Sequence, residues 1–467
     1  MIELYLIFIP AIFALLIFFC RKSLLIRSLL AGAGFCHLAG TIYLLCCPYS
    51  AVPESLTNWL AADVYSGLIA AICSVLFCAV SVYIFFWLPA AKKFETAYST
   101  MREHIFCSVL CLFLSTMSLV AFAANFGLLW VAVEATTLAS APLIAYHRSP
   151  SAIEAMWKYL VICSVGIGLA LFGTFMLGVA MRFSGNHAEG LGFLMIAGLK
   201  NTLDPQWFKA AFLFCLAGYG LKMGLAPFHV WMPDAYGESC GPVAALLSGA
   251  LVNCSFLGII RIMNVAPDKL LPFCREYLIG LGVISLAVAA CFIIKQTDFR
   301  RMLAYSSVEH MGLLAILWGL GSTDAAVLHV MGHSACKMLL FLTAGNILLA
   351  WGTAKSSEIS GMFSCLPVTG FVWCVSILLI CGAPPSPLFL TELLLIRSAG
   401  PVLGGIILLL LFVIFCGMTS TALKMCMGKV EHAPVPAAAE KAEQLILIPA
   451  LLAILPVLAG IYCIIQF

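Results

Sequence analysis

An all-α, polytopic membrane fold is predicted by three features of the sequence. Of its 467 residues, 63% are hydrophobic and only 10% are charged, whereas a soluble globular domain carries about 25% charged residues. Mean hydropathy is +1.10, so the chain cannot cover its own surface in water. Apolar runs of the ~20 residues needed to cross a hydrocarbon core recur from end to end, and no soluble stretch of domain size separates them. Finally, Lys and Arg collect in alternate loops. Residues 1–467 therefore read as one integral membrane domain.

Hydropathy marks about 14 spans. The first six lie near Ile2–Cys20, Leu24–Cys46, Tyr65–Leu88, Ile105–Ala124, Gly127–Tyr146 and Tyr159–Met181. The later ones lie near Phe208–Ala226, Val243–Ile262, Tyr277–Ile294, Met302–Leu320, Ala325–Trp351, Thr369–Ile396, Val402–Met427 and Leu445–Ile465. Met1–Cys20 has no basic leader and no small-residue cleavage site, so it reads as a first span rather than a signal peptide. Arg21, Lys22 and Arg27 mark the first loop, Lys92, Lys93 and Arg102 the third, and His147, Arg148 and Lys158 the fifth. Lys295, Arg300 and Arg301 mark the ninth loop, Lys355 the eleventh, and Lys424, Lys429 and Lys441 lie in or near the thirteenth. The second loop, Pro48–Asp63, has no Lys or Arg. Odd loops are thus expected in the cytoplasm and both termini on the other side. The segment Arg182–Lys209 and the residues Arg261, Lys269 and Arg275 run against this pattern.

Two spans contain helix breakers, Gly224-Leu225-Ala226-Pro227 and Cys381-Gly382-Ala383-Pro384-Pro385-Ser386-Pro387. Proline removes a backbone donor and clashes with the preceding turn, so both helices should break. Freed backbone groups at membrane depth are tolerated where they are buried in protein or line a wet cavity. Paired breaks in two halves of a chain point to an inverted-repeat transporter and its ion site; two ordinary proline kinks are the competing reading.

Ionisable groups inside spans cost roughly 2.5–3.5 kcal/mol each on insertion scales and usually have a function. Glu134 lies in the middle of the fifth span, too deep to snorkel. Lys222 directly precedes the first break, and Glu392 follows the second. His329, His333 and Lys337 form an i, i+4, i+8 stripe in AVLHVMGHSACKMLLFL. Two imidazoles four apart are spaced to hold a metal, but no clear third ligand is nearby. A polar stripe along a water wire suits histidine, which titrates near physiological pH, and His310 in YSSVEHMG is placed to join it. Lys158 opens the sixth span and either snorkels or pairs with Glu134.

Catalytic signals are missing. The chain has no Walker-A loop, no G-x-G-x-x-G and no nucleophile motif. Its 21 Cys lie mostly inside apolar runs, and no two are spaced C-x-x-C, the usual spacing of zinc, haem-attachment and iron–sulfur sites. They read as small core hydrophobes, so no cofactor and no metal is expected on this chain. Redox chemistry, if it drives the protein, belongs to another chain.

The strings LLWVAVEATTLAS, WKYLVICSVGIGLALFG, GLKMGLAPFHVWMPDAYGESCGPVAALLSG, QTDFRRMLAYSSVEHMG and HVMGHSACKMLLFLTAGNIL follow in order from about Asn125 to Glu392. Through them the chain resembles the antiporter-like subunits of respiratory complex I, Mrp-type sodium/proton antiporters and membrane-bound [NiFe] hydrogenases. Its wording is most similar to component F of hydrogenase-4 and related formate hydrogenlyase subunits. The resemblance implies two inverted repeats of five helices, about 104–262 and 277–427, each with one broken helix. It implies a proton relay through Glu134, Lys158, Lys222, His310, His333 and Glu392, alongside the His329 and Lys337 of the same stripe. The eighth-span position that is titratable in complex I members is Asn253, which holds a water but takes no proton. Hydrogenase-type members share that departure. Phe467 closely follows the last span, so the long lateral helix of the distal complex I subunit is not expected. The implied function is proton translocation within a redox-driven complex of the bacterial inner membrane, partnered by other membrane-arm subunits and a peripheral redox arm, without nucleic acid. Sodium/proton exchange of Mrp type and a non-pumping membrane scaffold are the alternatives.

Overall fold

The computed structural model describes residues 2–47, 58–94, 99–183, 190–430 and 432–451. Among these the chain is nearly all helix, with only isolated β-bridges between loops. Six long helices come first: α1 (Ile2–Phe19), α2 (Ser23–Cys46), α3 (Val64–Phe94), α4 (Glu103–Phe122), α5 (Phe126–Ile144) and α6 (Pro150–Phe183). A short α7 (Phe193–Leu199) leads to α8 (Pro205–Met223), α9 (Trp231–Glu238), α10 (Gly241–Leu246) and α11 (Val252–Asn264). The rest are α12 (Leu271–Ile293), α13 (Phe299–Gly319), α14 (Thr323–Trp351), α15 (Met362–Cys365), α16 (Pro367–Ile380), α17 (Pro387–Cys426) and α18 (Pro436–Leu445).

Helix starts follow local chemistry. The side chains of Asn125, Asp204, Asp298 and Ser386 accept backbone N–H groups at the first turns of α5, α8, α13 and α17. Such caps satisfy donors that a helix leaves orphaned. Eleven helical stretches of the described chain are long and apolar enough to cross a membrane. The hydropathy reading gave about 14, and the shortfall has identifiable sources. α13 carries Arg300 and Arg301 in its first turn and Glu309 and His310 at its middle, and α16 is only 14 residues long. The 40-residue α17 is two helices joined at Gly400, whose φ of 74° lies in the left-handed region. There Gly404 packs against the Ile396 carbonyl, with an added Cβ only 2.8 Å away, as in a tight helical hairpin. Most of the span expected at Leu445–Ile465 lies outside the described residues.

Loop contacts sort into two sets. Glu103 takes Ser23, Arg27 and Lys92 from the first and third loops. Met101 N donates to Tyr146 O, Ser151 to Glu238, Arg301 to Asp234, Phe299 N to Ala354 O, and Gly361 N to Met427 O. All of these join odd loops. Ala61 N donates to Phe122 O, Phe126 N to Leu191 O, Lys200 to Asp268, Arg261 to Asp63, and Ser322 to Ser398, all joining even loops. The alternation read from Lys and Arg is therefore a physical partition into an odd and an even end of the bundle. The discordant basic residues are engaged at the even end: Arg261 with Asp63, and Arg275 against Gly319 and Gly321.

Both breaks form as the prolines require. α8 ends at Met223, Gly224 takes φ 91°, and helix resumes beyond Pro227. α16 ends at Ile380, Gly382 takes φ 68°, and helix resumes at Pro387. At the first break the freed Ala226 N–H donates to Ser285 Oγ of α12 at 2.9 Å, and the Leu221 carbonyl accepts from Trp231 Nε1 at 2.9 Å. Backbone polar groups released inside the bundle are thus caught by side chains, as a low-dielectric setting demands.

α6 and α8 pack through small residues. A Cβ added to Gly173 would lie 2.8 Å from Cys215 N, and one added to Gly218 would lie 2.5 Å from Gly166 O and 2.6 Å from Ala170 N. Small residues let membrane helices approach backbone to backbone. That approach fixes the distance between the side chains the two helices carry toward the core.

Candidate functional site

The ionisable residues meet at mid-height. By the 1.5 Å rise per residue, Glu134 and His310 lie roughly 12–17 Å from both ends of their helices, Asn253 roughly 16–18 Å from both ends of the continuous stretch Gly241–Asn264, and His333 roughly 15 Å from the start of α14. They form a line running α5, α8, α11, α14, α13, α17.

The line begins at the perimeter. Glu134 is half-buried, flanked by the exposed Val131, Leu138 and Val161. Its carboxylate accepts from Ser164 of α6 at 2.7 Å and from Thr137, one turn along, at 3.4 Å. Lys222 is fully buried. Its Nζ donates to Thr137 Oγ1 at 2.6 Å and Tyr159 OH at 2.7 Å, and stands 4.7 Å from the centre of the Tyr159 ring. Tyr159 OH also pairs with Ser140 at 2.7 Å. The Glu134–Lys222 connection is therefore one hydroxyl long, through Thr137, rather than a direct ion pair.

Lys158 stands apart from this line. Its Nζ pairs with Glu154 at 2.8 Å and Asp234 at 3.1 Å, and nearly half of its side chain is exposed. It does not reach Glu134, because that carboxylate is level with Ser164, six residues (roughly 9 Å) deeper along α6. Asp234 also pairs with Arg301, so Lys158 belongs to a polar cluster at the odd end.

Asn253 is fully buried in α11 just after a π-helical turn, Leu247–Leu251. Such turns are rare and recur at functional sites. The Asn253 amide donates to Gly249 O at 2.7 Å and Ser334 Oγ of α14 at 2.8 Å, while its Oδ1 has no partner among the described residues. A buried acceptor of that kind is a place for water. Ser248 O, in the same π turn, faces His333 Nε2 at 3.3 Å.

The stripe on α14 fans out instead of forming a single wire. Each four-residue step rotates about 40° around the helix, so the three side chains meet different partners. His329 Nδ1 meets Thr391 Oγ1 of α17 at 2.9 Å, His333 meets the π turn, and Lys337 donates to Leu303 O at 2.8 Å and to Ser306 of α13. His310 links the first two: its Nδ1 is 3.3 Å from His329 Nε2, and its ring centre is 5.1 Å from that of His333. The imidazoles form a bent row from Ser248 to Thr391, hydrogen-bonded at Ser248–His333 and along His310–His329–Thr391 and joined by ring contact between His333 and His310. Glu392, the residue after Thr391, lies over the second break, its carboxylate filling the space beside Gly382, where an added Cβ would be 2.2 Å away.

Glu309 is absent from the sequence candidates. It is buried on α13 beside His310 and interacts electrostatically with both Lys337 and Glu392. Its mid-span position between two serines and a histidine was the available signal. The hydroxyls of Thr137, Tyr159, Ser334 and Thr391 were also missed. Span hydroxyls more often bond back to their own helix, as Ser74 does to Ala70 O and Thr343 to Leu339 O.

At the even end, Arg261 is buried and forked onto Asp63, with Ser66 Oγ at 3.0 Å and the Phe193 ring centre 4.8 Å away. Burial pushes the Asp63 carboxyl up, but Arg261 and Ser66 outweigh it and hold the group below the usual carboxylate value.

A family model described as the membrane part of NADH:quinone oxidoreductase and Mrp antiporters matches residues 123–419, most of the line just described. A hydrogenase-4 component F homolog of Methylacidiphilum infernorum is 36% identical over 292 residues, 61% of this chain and 60% of that protein. One of the subunits of a Na(+)/H(+) antiporter of Alkalihalophilus pseudofirmus is 31% identical over 337 residues, 67% of this chain and 39% of its own length. The alignments thus span three-fifths or less of these curated relatives. In fold, the chain is similar to a chain of the membrane-bound sulfane sulfur reductase, an archaeal respiratory membrane complex, with a TM-score of 0.84 at 20% identity, covering 98% of this chain and 94% of that one.

Proposed function

Because the chain belongs to the NADH:quinone oxidoreductase/Mrp antiporter membrane family, we propose that it is the proton-translocating subunit of a redox-driven complex of hydrogenase-4 or formate hydrogenlyase type. One observation carries this reading: a fully buried lysine at a helix break, held by two neutral hydroxyls, one of which reaches a carboxylate at the protein's edge. An ammonium out of water is costly unless a counter-charge offsets it. Across the Thr137 hydroxyl, at roughly 6 Å and an effective dielectric near 20, that offset is about 3 kcal/mol. A charge change beside Glu134 therefore reaches Lys222 through Thr137 and decides whether Lys222 keeps its proton.

In this reading the proton moves from the first half to the second. Water at Asn253 Oδ1 joins Lys222 to the Ser334–His333 region, the row His333, His310, His329 and Thr391 carries it on, and Glu392 passes it out. Lys337 and Glu309 set the field along the way. The likeness of the two breaks, each a left-handed glycine followed by alanine and proline within a few residues, supports two inverted repeats at about 104–262 and 277–427. The odd and even loop ends support about 14 spans with the basic odd end in the cytoplasm of a bacterium, both termini on the periplasmic side. Redox centres belong to partner chains, and the exposed apolar face around Glu134 is the side from which a neighbouring membrane subunit signals.

The test is the number of protons moved per electron pair by the purified complex in sealed liposomes. Glu134→Gln is expected to lower that ratio at least fivefold, and Lys158→Ala to lower it far less, since Lys158 sits in the odd-end cluster. An unchanged ratio in Glu134→Gln contradicts the relay. A ratio that depends on sodium favours Mrp-type exchange, and redox turnover with no ion movement favours a scaffold.

A further inference from the structure

A second polar seam leaves the same lysine in another direction. Lys222 lies close enough to Cys254 of α11 for the two to interact electrostatically, and the buried Cys254 thiol neighbours the buried Cys73 of α3. Seven residues along α11 stands Arg261, and seven residues back along α3 stands Ser66, which bond each other. A seven-residue step returns to nearly the same helix face about 10 Å away. The α3–α11 contact is thus a strip with two buried thiols at mid-height, pinned at the even end by Arg261, Ser66 and Asp63.

Tyr219 lies along this strip. It is one turn from Lys222 on α8, toward the even end, and its ring rests on Gly258, where an added Cβ would be 2.8 Å from the ring carbons. Gly258 is one turn from Arg261. Tyr219 OH, Ser255 Oγ and Arg261 Nε are all buried with no hydrogen-bond partner among the described residues. Buried polar atoms are rarely left unpaired, and each is an atom that a bound water would satisfy. Three of them cluster around one ~10 Å strip between a buried lysine and Asp63, whose side chain is 44% exposed.

We propose that this strip is a hydrated proton exit from the first half of the chain, running from Lys222 past Tyr219 to the Arg261–Asp63 pair at the even end. It rests on the translocation reading above and adds to it a route that bypasses Asn253. The charge at its mouth explains the pairing. A lone buried guanidinium there would repel an emerging proton, and Asp63 cancels that charge while offering the proton its first carboxylate. Thr137 and Tyr159 deliver the charge signal to one side of Lys222, and Tyr219 with its waters takes the proton from the other.

The test uses the intact complex in sealed liposomes and reads protons moved per electron pair in Tyr219→Phe, Asp63→Asn and Lys222→Ala. Tyr219→Phe keeps the ring on Gly258 and removes only the hydroxyl; Asp63→Asn keeps the side-chain shape at the surface. Each is expected to lower the ratio at least twofold. Tyr219→Phe combined with Lys222→Ala is expected to fall no further than Lys222→Ala alone. Full ratios in both Tyr219→Phe and Asp63→Asn, with Lys222→Ala impaired, overturn the exit and leave the translocation reading standing. Full ratios in all three overturn both. Co-purification of the redox subunits monitors assembly, and if Tyr219→Phe fails to assemble, Asp63→Asn decides.

Discussion

Lys222→Ala is expected to lower redox-driven proton translocation at least tenfold while the chain still assembles. The side chain is fully enclosed, and among the described residues its ammonium hydrogen-bonds Thr137 and Tyr159 and stands beside the Tyr159 ring. Removing it deletes the basic, proton-carrying group of that site. The hydroxyls left behind can pair with each other or with a water, as Tyr159 already does with Ser140. The energetic damage to the fold is therefore modest, because no buried charge is stranded. Thr137→Val probes the same link without touching the lysine: it removes the hydroxyl between Glu134 and Lys222 and keeps the shape. If Glu134 acts through Thr137, Glu134→Gln and Thr137→Val are non-additive in a double-mutant cycle. A Lys222→Ala complex that pumps at the normal ratio contradicts the relay.

Gly218→Val is expected to be the most damaging single change to the fold. A bare Cβ at this position would lie 2.5 Å from Gly166 O and 2.6 Å from Ala170 N, both backbone atoms of α6. Flexible side chains can yield to such a contact, but helix backbone cannot. Valine adds two further methyls, so α6 and α8 must separate. Overpacking a tight interior costs typically 1–3 kcal/mol and at times more, and this contact is backbone against backbone. Separation also pulls Tyr159 away from Lys222, so stability and translocation fall together. Thermal unfolding in detergent is expected to shift down by several degrees or more. Gly168→Ala, in the facing helix α6 but with nothing within 4 Å of its added Cβ, supplies the control. There alanine is the better helix former by about 1 kcal/mol, and stability is not expected to drop.

What the sequence made legible follows its physics. Hydropathy and the placement of Lys and Arg gave the membrane, the order of helices and the two ends, because solvation acts on each residue where it stands. Pro227 and Pro384–Pro385 gave the breaks, because a missing donor is a local fact. Glu134, Lys222 and Glu392 were visible as charges out of place. Lys158 shows the limit: its height relative to Asp234 and Glu134 depends on how α6 and α9 pack, which no local pattern states. The fan of His329, His333 and Lys337 was hidden similarly, since spacing along one helix does not name the neighbours it meets. Glu309 is legible by its mid-span position beside His310. The hydroxyls of Thr137 and Tyr159 were not, because nothing in a serine, threonine or tyrosine tells whether it serves its own helix or another. The π turn at Leu247–Leu251 left no trace in composition, although it turns the Ser248 carbonyl toward His333.

The central claim is that this chain passes protons through its buried charges. It is tested most directly by the purified complex in sealed, sodium-free liposomes, with internal pH followed while the redox partners turn over. A pH change that forms without sodium, collapses with a protonophore and disappears in Lys222→Ala is the predicted result. Steady redox turnover with no pH change, or one that appears only when sodium is added, would contradict it.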